Sequence, residues 1–249
     1  MIKFGTGGWR AVIAEEYTFS NVRRVAQGVA LYLEEIGANE KPVIIGHDLR
    51  FLSGRFSRAV AEILVKNKIK VWFIEQVVPT PMLMYAVDQE DLAMGIMITA
   101  SHNPSEYNGI KIIIEGGKDA PIEVTDRLEE LIATIPTLEA PSYTFFQALA
   151  NGDIEHYSNK NEYIDSLLAQ IDIEAVQKLN LNVLFNPMFG VAKDIMAMCL
   201  ASLRCSVDLI NAGRDTMFGM RTPSPSKESL QDMEYIMKEG NYHIGIATD

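Results

Sequence analysis

Leu92-Ala93-Met94-Gly95-Ile96-Met97-Ile98-Thr99 is an unbroken apolar run that empties into Ala100-Ser101-His102-Asn103-Pro104, and a second run, Ile110-Lys111-Ile112-Ile113-Ile114, follows closely. Runs this short and this apolar suit interior strands covered on both faces, not amphipathic helices. Between them, Asn108-Gly109 is a strong turn dipeptide and is expected to reverse the chain. The reversal would bring Lys111 back close to Ser101. A serine, a histidine and a lysine would then share the carboxyl end of a strand.

The flanking sequence supplies the alternation that such strands require. Upstream, Val22, Val25, Ala26, Val29 and Leu33 repeat at helical spacing over 20–36, with Ser20 as the expected N-cap. Pro42 to Ile45, ended by Gly46, reads as a strand. A helix from Ser53 would bury Phe56, Val60, Ile63 and Leu64; Lys70 to Ile74 is a strand, and Pro81 fits the first turn of a third helix. A helix over 123–135 closes the unit. Residues 136–157, with Pro136, Pro141, Asn151 and Gly152, read as a linker or an edge hairpin. Helices near 158–169, 190–203 and 226–240 then alternate with strands at Asn182 to Phe185, Cys205 to Ile210 and His243 to Ala247, with a long loop over Gly213 to Pro225. The expected fold class is α/β: two similar α/β/α units with mixed, mostly parallel sheets. The division is placed at 1–145 and 146–249.

Composition excludes several classes. The chain has 249 residues, 48% apolar and 22% charged, and no apolar run approaches the ~20 residues of a membrane span. A net charge of −11 argues against nucleic acid and anionic membranes as partners. Cys199 and Cys205 form no C-x-x-C pair, which favours a reducing, cytoplasmic setting with both thiols buried and inert. The methionines, Met94, Met97, Met196 and Met198 among them, are expected to fill core gaps.

Four constellations could carry chemistry. Ser101 beside His102, with Lys111 returning, could be a nucleophile or phosphate carrier; a polar turn with an edge-strand lysine explains the same residues about as well. No G-x-S-x-G elbow is present, which disfavours a serine hydrolase of that fold. Phe4-Gly5-Thr6-Gly7-Gly8-Trp9-Arg10 could offer backbone N–H groups and a guanidinium to an anion, or be a plain N-terminal turn. Gly46-His47-Asp48-Leu49-Arg50 follows the first strand; Asp48 and Arg50 could pair to orient a catalytic loop, or Asp48 could equally satisfy a turn, and the supporting role is the one expected. Asp249 follows Gly245-Ile246-Ala247-Thr248 at a strand end, where open sheets place ligand-binding residues. One carboxylate alone does not make a metal site. His156 and His243 have no ligand spacing and read as ordinary histidines.

Taken in order, these segments, with weaker echoes in Asn186-Pro187-Met188-Phe189-Gly190 and in the Gly213 to Pro225 loop, resemble the phosphoglucomutase/phosphomannomutase family of α-D-phosphohexomutases. The resemblance implies the first two of four domains and an isomerase that interconverts hexose 1-phosphate and hexose 6-phosphate, with glucose or mannose as the sugar. By it, Ser101 carries the phosphoryl group and passes through a bisphosphorylated sugar, and a glucose 1,6-bisphosphate-type activator primes the serine. Arg10, His102 and Lys111 join Ser101 in catalysis, without the resemblance separating out the base. Thr6, Gly7, Arg10, Asn103 and Lys111 bind substrate. The family's metal loop resembles Asp-Gly-Asp-x-Asp-Arg around Mg²⁺; Asp249 matches its first aspartate, and with Ser101 would be a metal ligand. The chain is accordingly expected to be cut within that loop, to lack the C-terminal domains that are its partners, and to be inactive alone. A non-catalytic sugar-phosphate-binding or scaffold protein is the alternative.

Overall fold

The computed structural model describes residues 2–5 and 7–249, which fall into two units. One runs to Ala100 and resumes over Glu106–Ser158; the other joins Ser101–Ser105 to Asn159–Asp249.

In the first unit the chain order is β1 (Gly8–Val12), α1 (Phe19–Glu35), β2 (Val43–His47), α2 (Ser53–Lys66), β3 (Val71–Phe73), α3 (Thr80–Gln89), β4 (Met94–Ile98), β5 (Tyr107–Ile114), β6 (Lys118–Asp119), α4 (Ile122–Thr134), α5 (Phe145–Asn151) and β7 (Ile154–His156). The sheet order is β1-β5-β4-β2-β3-β7, with β6 beside β5. β4, β2, β3 and β7 are parallel, and β5 is antiparallel to both β1 and β4. The helical spacing holds: Val22, Val25, Ala26, Val29 and Leu33 are buried on α1, and Phe56, Val60, Ile63 and Leu64 on α2. The N-cap of α1 is Thr18, whose side chain accepts from the Asn21 N–H, and not Ser20, which instead accepts from the Leu138 N–H. Gly46 does not end β2, which continues to His47 against Ile98.

Two local readings change. Asn108-Gly109 is not a turn but lies inside β5, opposite Ala11 and Arg10. Gly109 is required there because a Cβ would stand 2.6 Å from both the Thr99 and Trp9 carbonyl oxygens. The reversal is made earlier, over residues 99–106. Residues 136–157 are not a linker or hairpin: α5 carries a full capping box at Thr144 and Gln147, and β7 extends the sheet parallel to β3. Phe145 seals that edge, its ring 4.8 Å from Phe73.

The second unit contains α6 (Lys160–Leu168), α7 (Ile173–Gln177), β8 (Asn182–Asn186), α8 (Lys193–Ser202), β9 (Ser206–Leu209), α9 (Gln231–Glu239) and β10 (Ile244–Ala247). Its sheet is β10-β8-β9, all parallel. The Gly213 to Pro225 loop includes one short 3-10 turn, Phe218–Met220. Met94 and Met97 are core residues; Met196 is only half-buried and Met198 is exposed, because α8 turns that face outward. Cys199 is buried and Cys205 half-buried, and burial pushes both thiols up from the ordinary cysteine value. No helix among the described residues is long and apolar enough to cross a membrane.

Candidate active site

Ser101 follows β4 by three residues and has a left-handed backbone, φ 50°. A non-glycine residue held there is strained, and such strain gathers where a side chain must be aimed. The Ser101 hydroxyl donates to Asp249 Oδ2 at 2.9 Å, and His102 Nδ1 lies 3.5 Å from the same hydroxyl and 3.6 Å from the same carboxylate. Asp249 is set by the β8–β10 pairing, which puts Ala247 opposite Asn186 and lets the Thr248 N–H donate to the Asn186 carbonyl at 3.1 Å. Gly190 packs against its backbone, where a Cβ would come within 3.3 Å of the Asp249 carbonyl oxygen. The sequence sets Ser101 beside His102, and the family resemblance pairs Ser101 with Asp249; the fold brings all three into one cluster. Asn103 is half-buried in the same turn.

Arg10 and Lys111 sit on neighbouring antiparallel strands of the first unit. Arg10 is opposite Gly109 and Lys111 opposite Gly8, so Gly8 to Arg10 open β1, while Gly5 and Gly7 precede it in a turn closed by the Gly5 N–H donating to the Gly8 carbonyl at 2.8 Å. Lys111 Nζ makes an ion pair with Asp119 at 3.0 Å, a partner absent from the sequence reading. Gly7, at φ +70°, packs on that aspartate: a Cβ would be 3.1 Å from the Asp119 Cβ. Thr6 lies outside the described residues.

Asp48 has the supporting role expected of it. Its Oδ1 accepts from the Arg50 N–H at 2.9 Å and the Ser53 hydroxyl at 2.7 Å, and its Oδ2 lies 3.4 Å from Arg50 Nε. Nearby, the Tyr17 phenol donates to the Gly109 carbonyl at 2.9 Å. Burial first, and then the Asp48 carboxylate, push that phenol well above the usual tyrosine value and keep it a donor. His156 lies exposed at the end of β7, and His243 Nδ1 accepts from the Asn182 N–H.

A serine oxygen between a carboxylate and an imidazole can pass its proton to either neighbour and accept a transferred group. Ser101 Oγ and Asp249 Oδ2 are oxygen donors of the hard type magnesium prefers, but near-octahedral coordination needs more of them. Among the described residues no group of three His, Cys, Asp or Glu side chains could hold a metal. These two oxygens therefore fit magnesium in kind and not in number.

Two family models match the chain. That for phosphoglucomutase/phosphomannomutase α/β/α domain I covers residues 1–139, and that for domain II covers 161–249. A phosphoglucosamine/phosphogalactosamine mutase of Sulfurisphaera tokodaii is 29% identical over 99% of this chain and 52% of its own length. A phosphoglucomutase of Staphylococcus saprophyticus is 35% identical over 79% of this chain and 37% of its own. The crystal structure of a Thermus thermophilus protein, provisionally described as a phosphomannomutase, superposes with TM-score 0.89 at 30% identity, covering 100% of this chain and 55% of that one. The chain thus spans about half the length of the curated relatives it matches. With both α/β/α domain models accounted for in order, the chain belongs to the phosphoglucomutase/phosphomannomutase family.

Proposed function

We propose that this chain is the phosphoserine-bearing part of a phosphohexomutase that interconverts hexose 1-phosphate and hexose 6-phosphate, with Ser101 as the phosphoryl carrier. The observation that carries the reading is the Ser101 hydroxyl, held on a strained turn and hydrogen-bonded to Asp249 with His102 alongside. Phosphoserine would donate its phosphoryl group to the free hydroxyl of the sugar monophosphate, whose proton leaves to a base. The hydroxyl oxygen forms the new P–O bond as the serine P–O bond breaks. The bisphosphate then reorients and returns its other phosphoryl group to Ser101, restoring phosphoserine and releasing the isomer.

Such transfers depend mainly on positioning and on stabilising charge. Arg10 and Lys111 are the cations proposed for the phosphate, with Gly7 supplying backbone beside them; Thr6 and Asn103 are further proposed substrate contacts. His102 or Lys111 is the proposed proton acceptor, since a guanidinium does not deprotonate in proteins. A magnesium ion, when bound, would screen the phosphate charge, with Ser101 and Asp249 as two of its oxygen ligands. The remaining ligands and the grip on the sugar would come from the further domains that relatives of twice the length include. The 249 residues alone are accordingly expected to turn over little or no substrate.

Glucose or mannose is the proposed sugar. The amino-sugar mutases among the relatives supply a second reading, glucosamine phosphate, on the same chemistry. Intact mass spectrometry of the full-length protein after incubation with glucose 1,6-bisphosphate should find a species one phosphoryl group heavier, lost in Ser101→Ala. Coupled assays with glucose, mannose and glucosamine 1-phosphates rank the sugars. Binding of these esters with no phosphoryl uptake would replace the mutase with the non-catalytic alternative.

A further inference from the structure

We infer that the cluster Asp48, Arg50, Ser53 and Asn108 is a positioning device for Ser101, a role that rests on the reading of Ser101 as the phosphoryl carrier. Asp48 is half-buried and the other three side chains are withdrawn from water: Arg50 is 3% exposed, Ser53 1% and Asn108 0%. Burying charge and amide groups costs stability, and well-packed apolar residues would fill the same space at least as stably. Their use here calls for something that packing alone does not supply.

Between the backbone beside them and their side chains, they reach both feet of the turn that carries Ser101. On the descending side the Asp48 N–H donates to the Ile98 carbonyl at 3.1 Å, and the Thr99 N–H donates to the Gly109 carbonyl at 3.0 Å. On the returning side Arg50 Nη1 donates to the Tyr107 carbonyl at 3.1 Å. Asn108 Nδ2 donates to the Phe51 carbonyl at 3.2 Å and to Ser53 Oγ at 2.9 Å, while its Oδ1 accepts from the Gly109 N–H at 2.8 Å. Ser53 passes the chain on by donating to Asp48. A continuous path therefore runs from the end of β2, through four side chains, to the residues that bracket the turn. Each donor and acceptor in it has a fixed direction, as apolar contacts do not.

The turn needs such holding because Ser101 sits at φ 50°, a conformation its own backbone does not favour. Displacing a reacting group by ~1 Å can cost about 100-fold in rate. Arg50 and Asn108 are positioning residues: they act through the backbone at 99 and at 107–109, and the phosphoryl group never needs to meet them.

The test uses Arg50→Lys in the full-length protein. Lysine keeps a cation for Asp48 but lacks the planar fork that reaches both Asp48 and the Tyr107 carbonyl. Single-turnover phosphorylation of Ser101 by glucose 1,6-bisphosphate should slow by roughly 10- to 100-fold, with KM within about twofold and circular dichroism showing a fully folded protein. Ser53→Ala, which deletes one hydroxyl, should slow it by a smaller factor and gives the same reading if Arg50→Lys does not fold. An unchanged rate per folded molecule in the folded variant, with only a lower Tm, makes the cluster a structural brace and overturns the inference. A wild-type protein that takes up no phosphoryl group overturns the reading of Ser101 itself, and this role with it.

Discussion

In the first unit β2 and β4 are buried along nearly their whole length, whereas in the second only β8 is, and the strands either side of it face outward in part. Leu209 on β9 is 41% exposed and Ile244 on β10 is 44% exposed, while Ile44, Ile45 and Ile98 are fully enclosed. The cause is width. A sheet with six strands in line has four interior strands to shield with helices, and a three-stranded sheet has one. The first unit can therefore bury polar machinery such as Arg50 and Asn108 at a tolerable cost. The second concentrates its stability in a few residues of β8, Val183, Leu184 and Phe185.

The contrast breaks most sharply at Phe185. Phe185→Ala empties the centre of the smaller core and should remove about 3–5 kcal/mol from the second unit. Calorimetry should show that unit's transition falling while the first unit's holds; a common shift of both would mean the units do not unfold separately. A smaller effect is expected at Gly109 in the first unit. Gly109→Ala thrusts a methyl group against two backbone carbonyls and should cost about 1–3 kcal/mol, measured by urea unfolding. A loss that appeared in the second unit's transition instead would blur the comparison. Tyr17→Phe is the mildest, about 1 kcal/mol for one buried hydrogen bond. Its pH dependence has a definite sign. The folded phenol is raised above its unfolded value near 10, so its contribution is full below about pH 10 and is lost as pH climbs toward the folded value. The stability gap between wild type and Tyr17→Phe should therefore narrow above about pH 10.

What could be read from the sequence was whatever depends on near neighbours along the chain. Helical spacing located α1 and α2, Pro81 marked the start of α3, and the apolar runs located β2, β4 and β8. What depends on distant partners was misread. Asn108-Gly109 carries a turn signature, yet its amide finds Phe51 and Ser53 and its glycine admits two carbonyls, so it belongs to a strand. Gly8–Val12 lacks strand composition and becomes one by pairing with β5. Motif order singled out Ser101, His102, Lys111 and Arg10 as candidates, but not every partner they meet: Asp119 beside Lys111 carries no local signature.

The strand at Ile154–His156 has a practical consequence for dissecting this protein. The domain I family model stops at residue 139, so an excised first domain cut there would lose α5 and β7 together. Phe73 would be stripped of the Phe145 ring, and the backbone of β3 would become an open edge able to recruit a strand from another molecule. A domain meant to be soluble by itself should retain the chain through Ser158.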